Sequence, residues 1–157
     1  MDYVELNIGM EAPDFALPSD SGEIIRLSDF KGKKIILYFY PKDDTPGCTK
    51  EACSFRDNLN TLQSQNIVVL GVSADSVESH KKFKEKYNLN FPLLSDEKLE
   101  VIKKYGVWKE KNLYGKKTMG IERSTFIIDE NGKIIKIFRK VQVEGHVEEI
   151  KKVLGIN

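Results

Sequence analysis

The sequence predicts a mixed α/β domain, with a central sheet of parallel and antiparallel strands flanked by helices. Three observations predict it. Two runs rich in branched residues, Lys34–Tyr40 and Ile67–Ser73, lack the alternation of half-exposed strands and so read as strands covered on both faces. The stretch between them is long enough for the crossover helix that parallel neighbours require. Near the C-terminus, Asn131-Gly132 separates two further apolar runs, a strong signal for an antiparallel hairpin.

Taken in order, Phe15–Leu17 and Glu23–Leu27 form an N-terminal β-hairpin around the turn Ser19-Asp20-Ser21-Gly22. Lys34–Tyr40 is the central strand, and Pro41–Thr45 a loop. Pro46 to about Ser64 reads as a helix, with Cys53, Phe55 and Leu59 or Leu62 on or near its inner face. Ile67–Ser73 is the second buried strand, and Val77–Tyr87 a charged amphipathic helix built around Phe83 and Tyr87. A short strand at Phe91–Leu94 and a short helix at Glu97–Tyr105 follow. Ser124–Asp129 and Lys133–Arg139 flank the Asn-Gly turn, and a helix over Val147–Leu154 ends at Gly155. This order is the thioredoxin-like one. No linker or repeat divides the chain, so residues 1–157 are expected to form one domain.

Composition excludes several function classes. Lys and Arg number 25 against 24 Asp and Glu, a net charge of +1, so no basic excess marks a nucleic-acid binder. The longest apolar runs fall far short of the ~18 residues of a membrane helix. Met1–Glu5 shows no basic or apolar leader character, and a cytoplasmic address is expected. Two cysteines, Cys48 and Cys53, cannot staple a chain of 157 residues. In a reducing compartment such a close pair points to catalysis, redox exchange or metal binding.

The chemistry concentrates between Pro41 and Cys53. Thr45 is a favoured N-cap residue and Pro46 suits the first helical position, which places Cys48 in the first turn. There a thiolate meets backbone N–H groups without intrahelical partners and the positive end of the helix dipole. A free thiol titrates near ~8.5; first-turn cysteines fall to between ~3.5 and ~7.5. The Thr45 hydroxyl is placed to donate to the sulfur or to a substrate oxygen, and Pro41, lacking an N–H, to wall the sulfur off. A cysteine at such a position can also be small apolar filler, and Cys53 a packed core residue. If the helix is intact, ideal geometry sets the two Cα atoms roughly 8.6 Å apart. A disulfide tolerates at most about 7 Å. Joining Cys48 to Cys53 therefore requires the first turns to unwind.

The spacing Pro41-x-x-x-Thr45-x-x-Cys48 resembles the peroxiredoxin active-site pattern. The run FYPKDDTPGCTKEACSFRD over residues 39–57 is similar to the bacterioferritin comigratory protein, or peroxiredoxin Q, subfamily. GVSADSVESH at 71–80, FPLLSD at 91–96, YGVW at 105–108 and GIERSTFIID at 120–129 extend the likeness over nearly the whole chain. The resemblance implies a thioredoxin-like fold and a peroxidase without a prosthetic group or other cofactor. It assigns Cys48 as the peroxidatic cysteine, Thr45 and Pro41 as its motif partners, and Arg123 as the arginine that contacts sulfur and peroxide. It assigns Cys53 as the resolving cysteine and Glu51 as an acid that orients Arg123. It further implies an intramolecular Cys48–Cys53 disulfide, recycling by thioredoxin or a similar dithiol, and a monomer.

Two readings from other classes use the same residues: a dithiol–disulfide oxidoreductase and a peroxide-sensing thiol switch. Against the first, the spacing is C-x4-C and not C-x-x-C, and Thr125 precedes the later strand without the proline such enzymes usually show there. His80 and His146 do not complete a zinc-ligand spacing with the cysteines, so no metal site is expected. Lys81–Lys86 and Lys103–Lys117 read as solvated faces, and Trp108 and Tyr114 as packing residues that could also meet a bulky hydroperoxide.

Overall fold

The computed structural model describes residues 5–156. The leader reading at Met1–Glu5 therefore lies, up to residue 4, outside the described residues. The chain runs β1 (Ala16–Pro18), β2 (Ile24–Arg26), a 3-10 turn (Leu27–Phe30), β3 (Lys34–Phe39), α1 (Pro46–Ser64) and β4 (Ile67–Ser73). It continues with α2 (Val77–Tyr87), β5 (Leu93–Ser95), α3 (Glu100–Lys104), β6 (Trp108–Leu113) and β7 (Lys116–Ile121). It closes with β8 (Ser124–Ile128), β9 (Ile134–Phe138) and α4 (His146–Val153). The main sheet has the order β5-β4-β3-β8-β9. β3 pairs parallel with β4 and antiparallel with β8, so the strand without alternation is the central one.

Alternate residues of β3 serve two cores. Ile36 and Tyr38 face α1, α2 and α4, against Phe55, Leu59, Leu62, Phe83, Val147 and Ile150. Ile35, Leu37 and Phe39 face the other layer, with Val101 and Ile102 of α3 and with Phe15, Leu17 and Leu27 from the N-terminal hairpin region. Both faces are buried, which is why the sequence here is continuously apolar. The seat of α1 on the sheet is an aromatic stack. The Phe55 ring lies 4.7 Å from the Tyr38 ring, with 26° between the planes. Tyr38 is paired in register with Gly71 of β4. A Cβ at Gly71 would stand 2.9 Å from Tyr38 Cζ, so only glycine leaves room for that ring.

Several expectations shift. The strand expected at Phe91–Leu94 forms at Leu93–Ser95. The helix expected over Glu97–Tyr105 is only Glu100–Lys104, because Leu99 takes a left-handed conformation, φ 63°, and the Asp96 carboxylate accepts the Ile102 N–H at 2.8 Å. The segment read as a solvated face contains the antiparallel hairpin β6–β7, registered Lys109↔Gly120 and Lys111↔Thr118. Tyr114, expected to pack, is fully exposed at the hairpin tip. Trp108 is half-buried against the α3-side core.

Candidate active site

α1 begins where β3 has delivered the chain to the C-terminal end of the sheet. Thr45 is its N-cap in position, with extended φ and ψ of −104° and 155°, and Pro46 is the first helical residue. The Thr45 carbonyl takes the first helical bond, from Thr49 N at 2.8 Å. Its side chain does not cap, contrary to the sequence expectation. The hydroxyl donates instead to the Lys42 carbonyl at 2.9 Å, closing a turn around Asp44, whose φ is +55°. That choice uses the Thr45 proton and leaves its oxygen lone pairs as acceptors. Pro41 is half-buried in the same loop.

Cys48 lies in the first turn of α1 and is 2% exposed. Arg123, the residue just before β8, reaches across to it: Nη2 donates to Cys48 Sγ at 3.4 Å, and Nη1 donates to Glu51 Oε1 at 2.7 Å. The arginine is held on both sides. Its carbonyl accepts from Val141 N at 3.0 Å, and the preceding Glu122 N–H donates to Val107 O at 2.7 Å. A Cβ on Gly47 would come within 3.1 Å of Arg123 Nη2, so glycine there admits the guanidinium to the sulfur. Burial opposes the charge on Arg123, but the Glu51 carboxylate and the Cys48 sulfur together keep its pKa above the ordinary arginine value.

Glu51 sits one turn after Cys48 with its side chain 1% exposed. Burial pushes its carboxyl up to about 7, against the opposing pull of Arg123. Its second oxygen, Oε2, has no hydrogen-bond partner, and neither has the buried hydroxyl of Tyr38. Tyr38 is held far above the usual tyrosine range by burial and by the charges of Glu51 and Cys48. The groups around the sulfur are thus the buried Glu51 carboxyl and Tyr38 hydroxyl and the Arg123 guanidinium.

Cys53 is half-buried in the same unbroken helix, and both cysteines are free thiols. α1 is tied beyond it: Arg56 Nη1 donates to the Tyr87 carbonyl at 2.6 Å, and Lys151 Nζ to Asn58 Oδ1 at 3.2 Å. Nearer the N-terminus, Lys50 pairs with Glu144. The structure thus brings Cys48, Glu51 and Arg123 into contact, sets Thr45 and Pro41 in the adjoining loop, and leaves Cys53 a helical turn and a half away.

Both histidines are buried. His80, on the charged helix α2, is fully buried and faces Asp43. His146 is buried, with Nε2 2.8 Å from Thr125 Oγ1, and burial lowers its pKa. Nothing local in the sequence marks the Asp43–His80 contact, which spans 37 positions.

Chemically, the arrangement presents a first-turn sulfur to a fixed, planar double donor. Arg123 is placed to donate to the sulfur and to follow negative charge as it moves from sulfur to an acceptor oxygen. Comparisons with known proteins agree with this chemistry. The family model described as AhpC/TSA matches residues 8–137. Peroxiredoxin Bcp of Bacillus subtilis is 54% identical over 149 residues, covering 95% of each chain. Peroxiredoxin Bcp of Escherichia coli is 46% identical over 141 residues, covering 90% of each. A cysteine-to-serine variant of Xylella fastidiosa PrxQ superposes with a TM-score of 0.92 at 39% identity, covering 97% of each chain. The Xanthomonas campestris bacterioferritin comigratory protein superposes with a TM-score of 0.89 at 38% identity, covering 95% of this chain and 98% of that one. With a thioredoxin-like fold in common and identities of this size over almost the full length, the chain belongs to the AhpC/TSA family and is a thiol-dependent peroxidase of the peroxiredoxin Bcp type.

Proposed function

We propose that Cys48 is the residue that attacks the peroxide, and that the single observation carrying this reading is the bidentate reach of Arg123 to Cys48 Sγ and Glu51 Oε1. The Cys48 thiolate displaces on the nearer peroxide oxygen. An S–O bond forms as the O–O bond breaks, and the departing alkoxide or hydroxide takes a proton from solvent. Charge leaves the sulfur for oxygen, and the Arg123 guanidinium lies where both ends of that transfer need donors. Thr45 Oγ1 accepts the peroxide O–H, since its own proton is given to Lys42. Pro41 limits water at the sulfur.

The product is Cys48 sulfenic acid. Cys53 thiolate then attacks that sulfur, the S–O bond breaks, hydroxide leaves as water on protonation, and an intramolecular disulfide results. A dithiol reductant of the thioredoxin kind resets the pair through a mixed disulfide. Hydrogen peroxide and organic hydroperoxides both fit the reaction. The Xanthomonas relative is described by its alkyl peroxide reduction activity, and the organic class is proposed here by that similarity. The same reading holds the protein to be a cytoplasmic monomer of one domain, without metal and without a nucleic-acid or membrane partner. Among the described residues, no helix is long and apolar enough to cross a membrane.

Cys48→Ser tests it. A hydroxyl does not cleave the O–O bond at neutral pH, so the variant should lose peroxide turnover in the presence of a thioredoxin system. More than a few per cent residual activity would remove Cys48 from the reaction. Many turnovers by the wild type under the same conditions separate a peroxidase from a sensor that reacts once. Stoichiometric peroxide loss without any reductant separates it from a dithiol oxidoreductase.

A further inference from the structure

The loop that carries Pro41 and Thr45 is held by α2 at its middle residues, Asp43 and Asp44. Asp43 is nearly fully buried, and both its oxygens are occupied. Oδ1 accepts from the Tyr40 hydroxyl at 2.6 Å; Oδ2 accepts from Ser79 Oγ at 2.8 Å and faces His80 Nδ1 at 2.7 Å. The other ring nitrogen, His80 Nε2, lies 2.9 Å from the Leu94 carbonyl. A carbonyl has no proton to give, so Nε2 bears one and donates. A proton must also lie between Nδ1 and Oδ2, because an imidazole lone pair facing a carboxylate would be repulsive. His80 and Asp43 are thus joined by a hydrogen bond, in a fully buried contact between α2 and the loop.

Further groups complete the grip. Asp75, just ahead of α2, accepts the Asp43 N–H at 2.8 Å and Ser73 Oγ at 2.7 Å through Oδ2. At the far end of α2, Asp44 accepts from Lys86 Nζ at 2.7 Å and from the Tyr87 hydroxyl at 2.6 Å. The ligand-type atoms of Asp43, Asp75 and His80 lie within 4.8 Å of one another, but Asp43 Oδ2, Asp75 Oδ2 and both His80 nitrogens are already engaged by protein groups. The cluster reads as an anchor and not as a cation site. The anchor bears on Asp43, two residues before Thr45, in a loop whose Asp44 is left-handed at φ +55°.

We infer that His80 is a positioning residue for the peroxide step: its bond to Asp43 fixes the Pro41–Thr45 loop, and with it the Thr45 oxygen, against Cys48. This rests on the reading that Cys48 attacks the peroxide. The resolving step moves Cys53 and the turns of α1 around it, whose ties to Tyr87 and Lys151 are separate from the His80–Asp43 bond, so it is expected to proceed without that bond.

The test is single-turnover oxidation of the reduced full-length protein by hydrogen peroxide, quenched at intervals, with sulfenic acid and disulfide counted by intact mass. His80→Leu removes both donors. His80→Asn places an amide N–H near the position of Nδ1, restoring the bond to Asp43 and not the one to Leu94. The second-order oxidation rate should fall about ten-fold or more in His80→Leu, in line with the cost of sub-ångström misplacement of a reacting group. It should return to within about three-fold of wild type in His80→Asn, while conversion of sulfenic acid to disulfide stays within about two-fold in all three. If His80→Leu fails to fold, Asp43→Ala deletes the same bond from the loop side and carries the same expectation. The inference is overturned if the deletion variants oxidise at the wild-type rate, if His80→Asn is as slow as His80→Leu, or if oxidation and resolution slow alike. A wild-type protein inert to peroxide would instead overturn the assignment of Cys48.

Discussion

Exchanging Glu51 for Gln removes an ionisation from a buried position of the site while keeping its shape and an acceptor for Arg123. The exchange is best made in a Cys48→Ser background, where no thiol titrates beside it. In the folded protein the carboxyl is raised by burial from 4.5 to about 7, even with Arg123 at 2.7 Å. In the unfolded chain it titrates near its ordinary value of ~4.3. Between these values the folded state keeps a proton that the unfolded state has released. The contribution of Glu51 to stability is therefore fully present below the unfolded pKa and is lost as pH rises through the folded one. At about 1.4 kcal/mol per pH unit, the whole swing is about 4 kcal/mol, of which about 2.5 falls between pH 5 and 8. Urea unfolding of parent and Glu51→Gln proteins at half-unit steps across that interval reads it directly. The stability difference should move by about 2.5 kcal/mol in favour of the variant as pH rises. A difference constant to within about 0.5 kcal/mol would refute the reasoning, and would mean that Arg123 holds Glu51 ionised throughout.

Three further outcomes follow from the same geometry. Arg123→Lys keeps the charge but loses the planar fork, and sulfenic acid formation in a stopped-flow single turnover should slow by about ten- to a thousand-fold; an unchanged rate would separate Arg123 from the reacting atoms. Cys53→Ser should oxidise normally but stop there, showing one added oxygen by intact mass after one equivalent of peroxide, where the wild type loses two hydrogens; loss of two hydrogens in the variant would identify another partner for Cys48. On oxidation of the wild type, amides between Pro46 and Asn58 should exchange faster, because an intact α1 holds the two Cα atoms roughly 8.6 Å apart against a limit of about 7 Å. Equal protection in both states, with the bond verified by mass, would show that the cysteines meet without unwinding.

The parts of the fold that were legible in the sequence are those whose burial is total or whose ends carry local chemistry. α1 spans Pro46–Ser64 as read, because Thr45-Pro46 sets its start and Phe55, Leu59 and Leu62 line one face. β4 and α2 also coincide with their readings, the latter through Ser76, whose side chain accepts the Ser79 N–H, and Asn88, which is left-handed at φ 52°. The hairpin β6–β7 was not legible, since its two faces are both largely solvated and its residues show no period of two. The available signal was Tyr114-Gly115, both with positive φ, 53° and 79°, as a two-residue hairpin turn requires. At the site, Cys48, Thr45 and Pro41 are close in sequence and could be read together. Arg123 was reachable only through the family resemblance, because nothing near it in the chain announces a partner 75 positions away. The burial of His80 was not legible because its neighbours Lys81 and Lys82 are exposed and α2 buries only it and Phe83.

Gly71 lies in β4, away from every reacting atom, yet it governs a dimension of the site. It is the bottom of a three-part shim: Gly71, the Tyr38 ring, and the Phe55 ring of α1. The thickness of that shim sets how far α1, and so the Cys48 sulfur, stands from the sheet. Arg123 takes its position from a different reference, the start of β8 on the other side of β3. The gap between sulfur and guanidinium is therefore an accumulated tolerance across three strands. A methyl group added at Gly71 has no flexible neighbour to absorb it, since the Tyr38 ring is already seated against Phe55. Variation that looks harmless in the middle of a strand would be measured as misalignment of the sulfur with Arg123.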